Sequence, residues 1–207
     1  MNTKMLATGH PDAISSALAV LANGGLVAFP TDTVYGVAAS LAVPSGIDRL
    51  YEAKSRSANK AIAVLIAEID QLALLTPGLT PAARRLAERF WPGALTLVLP
   101  KQPRLPANLS PLPTVGVRMP DHLFARALIR AAGPLATSSA NVSGEANPLN
   151  AQDVMAQLAG RIELILDGGP VSGGVPSTVV DCTQDPPLIL RSGAISSAEI
   201  INVSDQS

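Results

Sequence analysis

Ala61-Ile62-Ala63-Val64-Leu65-Ile66 constrains the fold more than any other stretch: six apolar residues in a row with no polar alternation. A half-buried strand would alternate, so a short continuous run reads as a strand covered on both faces. Such strands belong to layered α/β domains, in which helices flank a sheet. The rest of the chain fits. Ile14, Ala17, Leu18 and Leu21 recur at helical spacing before Gly24-Gly25, which predicts a helix over residues 11–23. Leu26 to Phe29 reads as a buried strand, and Ile47, Leu50 and Tyr51 mark a second helix leading into Lys54.

Thr80-Pro81 opens a third helix in the cap-then-proline order, with Arg84, Arg85, Glu88 and Arg89 as its solvated face. Asp121 is the expected cap of a helix over 123–132, and another runs from 150 or 151 to 159. Further strands are expected at 95–99, 114–118, 134–137, 162–166, 177–181 and 188–191. The 18 prolines and 16 glycines are spread along the chain as punctuation between these elements. The sum is roughly seven or eight strands with five or six helices, an α/β domain built on a mixed sheet. At 207 residues and 47% hydrophobic, the chain buries one core. No internal domain boundary is expected.

Several function classes are excluded early. A net charge of −1 gives no global field for holding nucleic acid, so any anion site must be local. Aromatics at 3% argue against a base-stacking platform. The single cysteine, Cys182, allows neither an intrachain disulfide nor a cysteine-rich metal cage, and reads as a small core residue. No apolar run approaches ~18 residues and the amino terminus lacks the core of a signal peptide, so a cytoplasmic protein without a membrane segment is expected.

The polar residues carry the functional signal. Lys54 and Arg56 stand one residue apart between a helix and a buried strand; isolated charges are costly to bury, so both are expected to face water or an anion. Pro30-Thr31-Asp32-Thr33 is a polar turn between apolar runs, whose side chains suit a ligand's polar groups or an Asx or ST turn; Asp32 reads as a turn former, with a metal contact as the alternative. Period two places Thr114, Gly116 and Arg118 on one face of their strand. Thr33, Lys54, Arg56, Arg118, Ser139, Asn141, Ser177 and Arg191 each end an apolar element, and ligands of open α/β sheets gather at strand ends. Convergence on one crevice is expected. Ser172-Gly173-Gly174-Val175-Pro176 is glycine-rich but lacks the GxxxxGK[ST] pattern of a phosphate loop.

The ordered series FPTDTVYGVA, YEAKSR, FWPGALTLVL, TVGVRMP, SSANVSG, PSTVVD and LILRSG resembles the YrdC/Sua5 family, the L-threonylcarbamoyladenylate synthases, across essentially the whole chain. The resemblance implies a twisted mixed sheet of about seven strands, with residues 10–200 as a single YrdC-like domain and no second domain. It also implies synthesis of threonylcarbamoyl-AMP and pyrophosphate from L-threonine, bicarbonate and ATP, with Mg²⁺. The product would feed modification of the tRNA adenosine next to the anticodon through a downstream threonylcarbamoyl-transferase complex, with at most a weak RNA contact by the synthase.

Carried over by resemblance, a Lys-x-Arg plus Ser-x-Asn catalytic tetrad falls on Lys54, Arg56, Ser139 and Asn141. The threonine side falls on Thr33, Arg118, Ser139 and Ser177, and the ATP side on Arg56, Lys60, Thr114, Asn141 and Arg191. No protein metal ligands are implied. The sequence departs from the family pattern at Ser57 and Ala61, where prolines are usual, at Leu65, where some members have histidine, and at Leu149. Two other readings compete. A carbamoyl-transfer domain of the hydrogenase-maturation type shares this fold, but a single cysteine leaves no room for the accompanying zinc fingers within this chain. An RNA-binding module is opposed by the charge balance and the few aromatics.

Overall fold

The computed structural model describes residues 2–205. Its first half runs β1 (Lys4–Ala7), α1 (Ala13–Ala22), β2 (Val27–Phe29), β3 (Gly36–Ser40), α2 (Pro44–Ala53), β4 (Ala63–Leu65), α3 (Pro81–Phe90) and β5 (Leu95–Pro100). The second half adds β6 (Thr114–Arg118), α4 (Leu123–Ala132), β7 (Leu135–Ser139), α5 (Ala151–Leu158), β8 (Leu164–Asp167), β9 (Thr178–Asp181), β10 (Leu188–Arg191) and α6 (Ser197–Ser204).

All the strands join one mixed sheet in the order β1-β8-β2-β3-β7-β4-β6-β5-β9-β10. The apolar run supplies β4, which lies inside the sheet between antiparallel β7 and parallel β6; Val64 is buried in the core on one face, while Ala63 and Leu65 on the other border a cavity. Among the described residues the sheet has ten strands rather than about seven. The two that periodicity did not signal are β1 at the edge and β3, whose sequence Gly-Val-Ala-Ala-Ser has little intrinsic strand preference. β3 is a strand because it is paired on both sides, by β2 and β7, and every one of its residues is buried.

Helix α6 was also not anticipated, although Ser196 and Glu199 form a capping box at its start. Its last turn is closed from outside. Arg85, expected on a solvated helix face, instead donates to the carbonyls of Val203 and Ser204 and caps α6. The cap of α4 is His122 rather than Asp121, since His122 Nδ1 accepts from the Ala125 amide. Cys182 is fully buried, and burial pushes its thiol pKa up to about 12, as befits a core residue. No helix among the described residues is long and apolar enough to cross a membrane.

On one face of the sheet α1 and α4 pack over Val27, Phe29, Ala38, Leu135 and Leu164. The same face continues through Gly36, Ala63, Gly116, Thr96 and Val179, and there it lies open as the floor of a cavity. Small side chains along this stretch leave room above the strands. The larger core fills the opposite face, where α2, α3, α5 and α6 contribute Leu50, Leu86, Leu158 and Ile200.

Candidate active site

The turn after β2 is built by Thr31. Its Oγ1 accepts from the amides of Thr33 and Val34 and donates to the Val34 carbonyl at 2.7 Å, a local bond pattern that fixes where Thr33 points. Asp32 is therefore not the turn former. Its carboxylate faces β6, where Arg118 Nη2 donates to Oδ1 at 2.5 Å. Arg118 also donates from Nη1 to Thr33 Oγ1 at 2.8 Å and from Nε to the Gly93 carbonyl at 3.0 Å. Burial lowers the Arg118 pKa, and the Asp32 carboxylate works against that shift. An arginine stays charged regardless.

Lys54 departs from expectation. It ends α2 with 1% exposure and does not line the cavity. Its Nζ donates to the carbonyls of Ser139 and Asn141 and lies 3.4 Å from Asn141 Oδ1, while its own carbonyl accepts from the Ser143 amide. Burial, and then the Arg56 guanidinium, draw its pKa down to about 7. The Lys54 charge is satisfied by backbone oxygens that the sequence could not show. Asn141 is likewise committed, with Nδ2 donating to the carbonyls of Val142 and Glu145 and Oδ1 accepting from Ser139 Oγ at 2.5 Å. Of this group only Ser139 reaches the cavity wall.

Ser55, between the two cations, adopts a φ of 50° in the left-handed region, which separates the directions of Lys54 and Arg56. Arg56 lines the cavity and donates to the carbonyls of Lys60 and Ala61. The Lys60 side chain is exposed and outside the cavity wall; the residue acts here through its carbonyl. Arg191, at the end of β10, donates to the Ser177 carbonyl from Nε and Nη2. Its pKa is lowered by burial and then by Arg56, so the two guanidinium groups repel each other across the site. Among the described residues neither has a carboxylate within ion-pair distance.

Ser177 is held from both sides. Its Oγ shares a hydrogen bond of 2.8 Å with Thr96 Oγ1, and the 192–193 turn presses against its backbone. A Cβ at Gly193 would stand 2.4 Å from both the Pro176 carbonyl and the Thr178 amide nitrogen. Gly173 is pinned similarly, its added Cβ falling 2.4 Å from the Asp32 carbonyl oxygen. Gly193→Ala is expected to cost about 1–3 kcal/mol or more, because only backbone can move aside. It should also shift Ser177 and Arg191, and the variant should show a lower denaturation midpoint. Wild-type stability in this variant would show that the turn moves freely.

The result is one cavity of about 370 Å³. Thr33, Arg56, Thr114, Arg118, Ser139, Ser177 and Arg191 all line it, together with Leu65, Leu112, Thr137 and Leu190. The period-two reading of β6 holds, since Thr114, Gly116 and Arg118 all face the cavity. Thr31, Thr96 and Thr137 were not singled out from the sequence, yet each lines it; in β5 the alternation of Leu95, Leu97 and Leu99 with Thr96 was the available signal. Two of the departures also lie in the wall, Ala61 and Leu65. Among the described residues no group of three His, Cys, Asp or Glu side chains could hold a metal ion, and Asp32 is already engaged by Arg118. The donors of the described residues thus do not fit a resident metal.

A model of the Sua5/YciO/YrdC family, described as "Telomere recombination", matches residues 19–193. The threonylcarbamoyl-AMP synthase of Bacillus subtilis is 46% identical over 96% of this chain and 58% of its own length. A putative threonylcarbamoyl-AMP synthase of Mycobacterium tuberculosis is 39% identical, covering 92% of this chain and 88% of that protein. Among solved structures, Pyrococcus abyssi Sua5 complexed with L-threonine superposes with a TM-score of 0.89 at 44% identity, over 92% of this chain and 56% of that one. The chain spans rather more than half the length of the Bacillus subtilis synthase and of the Pyrococcus abyssi Sua5.

Proposed function

The chain belongs to the Sua5/YciO/YrdC family, and on that premise we propose that it makes threonylcarbamoyl-AMP and pyrophosphate from L-threonine, bicarbonate and ATP. The observation that carries this reading is the meeting, in one cavity, of Arg118, paired with Asp32, and two arginines that lack carboxylate partners among the described residues. Arg118, steadied by Thr33, suits the α-carboxylate of an amino acid, which a guanidinium holds bidentately. Arg56 and Arg191 repel one another until an anion lies between them, as a triphosphate would.

The chemistry follows from this division. The threonine amine combines with bicarbonate, losing water, to give an N-carboxylate. An oxygen of that group attacks the α-phosphorus of ATP in line, and pyrophosphate leaves. Positioning and charge neutralisation supply most of the assistance in such a transfer, so no strong general base is called for. Mg²⁺ enters as part of the nucleotide substrate, bound by its phosphate oxygens, in keeping with the lack of a carboxylate cage. Ser139, in the cavity wall, offers its hydroxyl to the substrates' polar groups.

Residues 10–200 act in this reading as one catalytic unit, in the cytoplasm. The product passes to a tRNA threonylcarbamoyl-transfer complex. The relationship to threonylcarbamoyl-AMP synthases, and to a Sua5 bound to L-threonine, supports the assignment. The test is pyrophosphate release from ATP with Mg²⁺ and bicarbonate, with and without L-threonine. Release should depend on threonine and disappear in Arg56→Ala while the melting temperature stays near wild type. Release independent of threonine would overturn the reading.

A further inference from the structure

Three arginines share the cavity, and among the described residues only Arg118 has a carboxylate partner. Asp32 and Arg118 approach to 2.5 Å with side-chain exposures of 16% and 8%. Asp32 does not line the cavity, although Thr31 and Thr33 on either side of it do. It stands behind the guanidinium, and its backbone is locked there by Gly173. Arg118 spends three of its N–H donors on Asp32, Thr33 and Gly93, and a guanidinium carries five. The two that remain match one bidentate carboxylate. The cavity is therefore unevenly charged: its Arg118 end is a neutral pair, while Arg56 and Arg191 are bonded only to neutral oxygens.

We propose that Asp32 is a positioning residue that sorts the two anions of the reaction. By cancelling the field of Arg118, it fits that end of the cavity to a net-neutral zwitterion, an α-amino acid, and leaves polyanions to Arg56 and Arg191. An ion pair still offers N–H donors to a single carboxylate. To a pyrophosphate or triphosphate it offers only a dipole, too little to offset the loss of that anion's hydration. A bare Arg118 would instead compete for phosphates and seat them where the amino acid belongs. This inference rests on the synthase reading for the identity of the amino acid.

Asp32→Asn tests it, because the amide keeps the accepting oxygen and the shape and removes only the charge. Binding of L-threonine, of 3-hydroxybutyrate (the same acid without its amine) and of inorganic pyrophosphate is measured by calorimetry without ATP. The preference for threonine over 3-hydroxybutyrate should fall by about tenfold or more in Asp32→Asn, the scale of one unit charge at a partly buried site. Pyrophosphate should begin to displace threonine, at a concentration lower than wild type requires by about tenfold or more. Asp32→Glu, which keeps the charge, should retain the wild-type pattern, and Asp32→Ser replaces the Asn variant if that one does not fold.

Equal loss of threonine and 3-hydroxybutyrate affinity, with no pyrophosphate competition, would overturn the proposal and leave Asp32 as a mechanical prop. Should wild type bind no threonine, the synthase reading fails separately. The pyrophosphate arm then still decides: tighter binding in Asp32→Asn supports charge sorting, and unchanged binding refutes it.

Discussion

Lys54→Met is expected to lower turnover about a hundredfold or more, although Lys54 lines no part of the cavity, since displacements near 1 Å at a reacting centre carry penalties of that size. Methionine fills the same space but donates nothing to the Ser139 and Asn141 carbonyls, which Nζ now holds. Buried acceptors left without partners cost about 1–3 kcal/mol each. The strand end carrying Ser139 should therefore loosen. Amide hydrogen exchange over residues 139–145 should speed up in Lys54→Met and not in Arg56→Ala. Unchanged exchange with lost turnover would mean that Lys54 acts on substrate directly.

The stability effect has a defined pH dependence. The Lys54 pKa is about 7 in the folded protein and near its ordinary 10.5 in the unfolded chain. Between those values the unfolded state binds more protons, so this residue's contribution to stability rises with pH through the window, by up to about 1.4 kcal/mol per unit. Below about pH 7 the folded protein bears the full cost of a buried ammonium. The gap between wild type and Lys54→Met should accordingly be wider at pH 9 than at pH 7 in denaturant titrations. A constant gap would place the folded-state pKa outside that window.

Arg118→Ala should abolish threonine-dependent pyrophosphate release and lower stability by about 3–5 kcal/mol, the usual consequence of leaving one member of a buried pair alone. Asp32 would retain a largely buried negative charge without its guanidinium partner. The double variant Asp32→Ala/Arg118→Ala removes that stranded charge. It should regain part of the lost stability and none of the activity. If the double variant is instead as unstable as the sum of the singles, the two side chains stabilise the fold independently and the pair is not a unit.

What the sequence conveyed depended on whether the partner of each residue was local. The alternation of Thr114 to Arg118 survives in the structure because strand periodicity is a property of the backbone alone. The six-residue apolar run likewise marked an interior strand. β3 was illegible because its pairing with β2 and β7, not its own composition, makes it a strand. Asp32 looked like a turn former, and its pairing with a side chain 86 residues away leaves no local trace. Lys54 was harder still, since its acceptors are main-chain carbonyls, which every residue has. In both cases the residue type was recognised and its partner was not.

The sheet order also bears on how the protein comes into being. β8 inserts between β1 and β2, and β9 lies beside β5, so strands from the last third of the chain bridge those made first. Pairings this distant in sequence form slowly, because the intervening loop must be closed before any contact rewards it. On a ribosome the cavity stays unfinished until Ser177 and Arg191 have emerged. Before β8 emerges the apolar strand β2 has an exposed edge and β1 has no neighbour at all, and the edge of β5 waits for β9. The nascent chain is thus most vulnerable to self-association late in synthesis, and a holding chaperone should improve its yield more than a faster translation rate would.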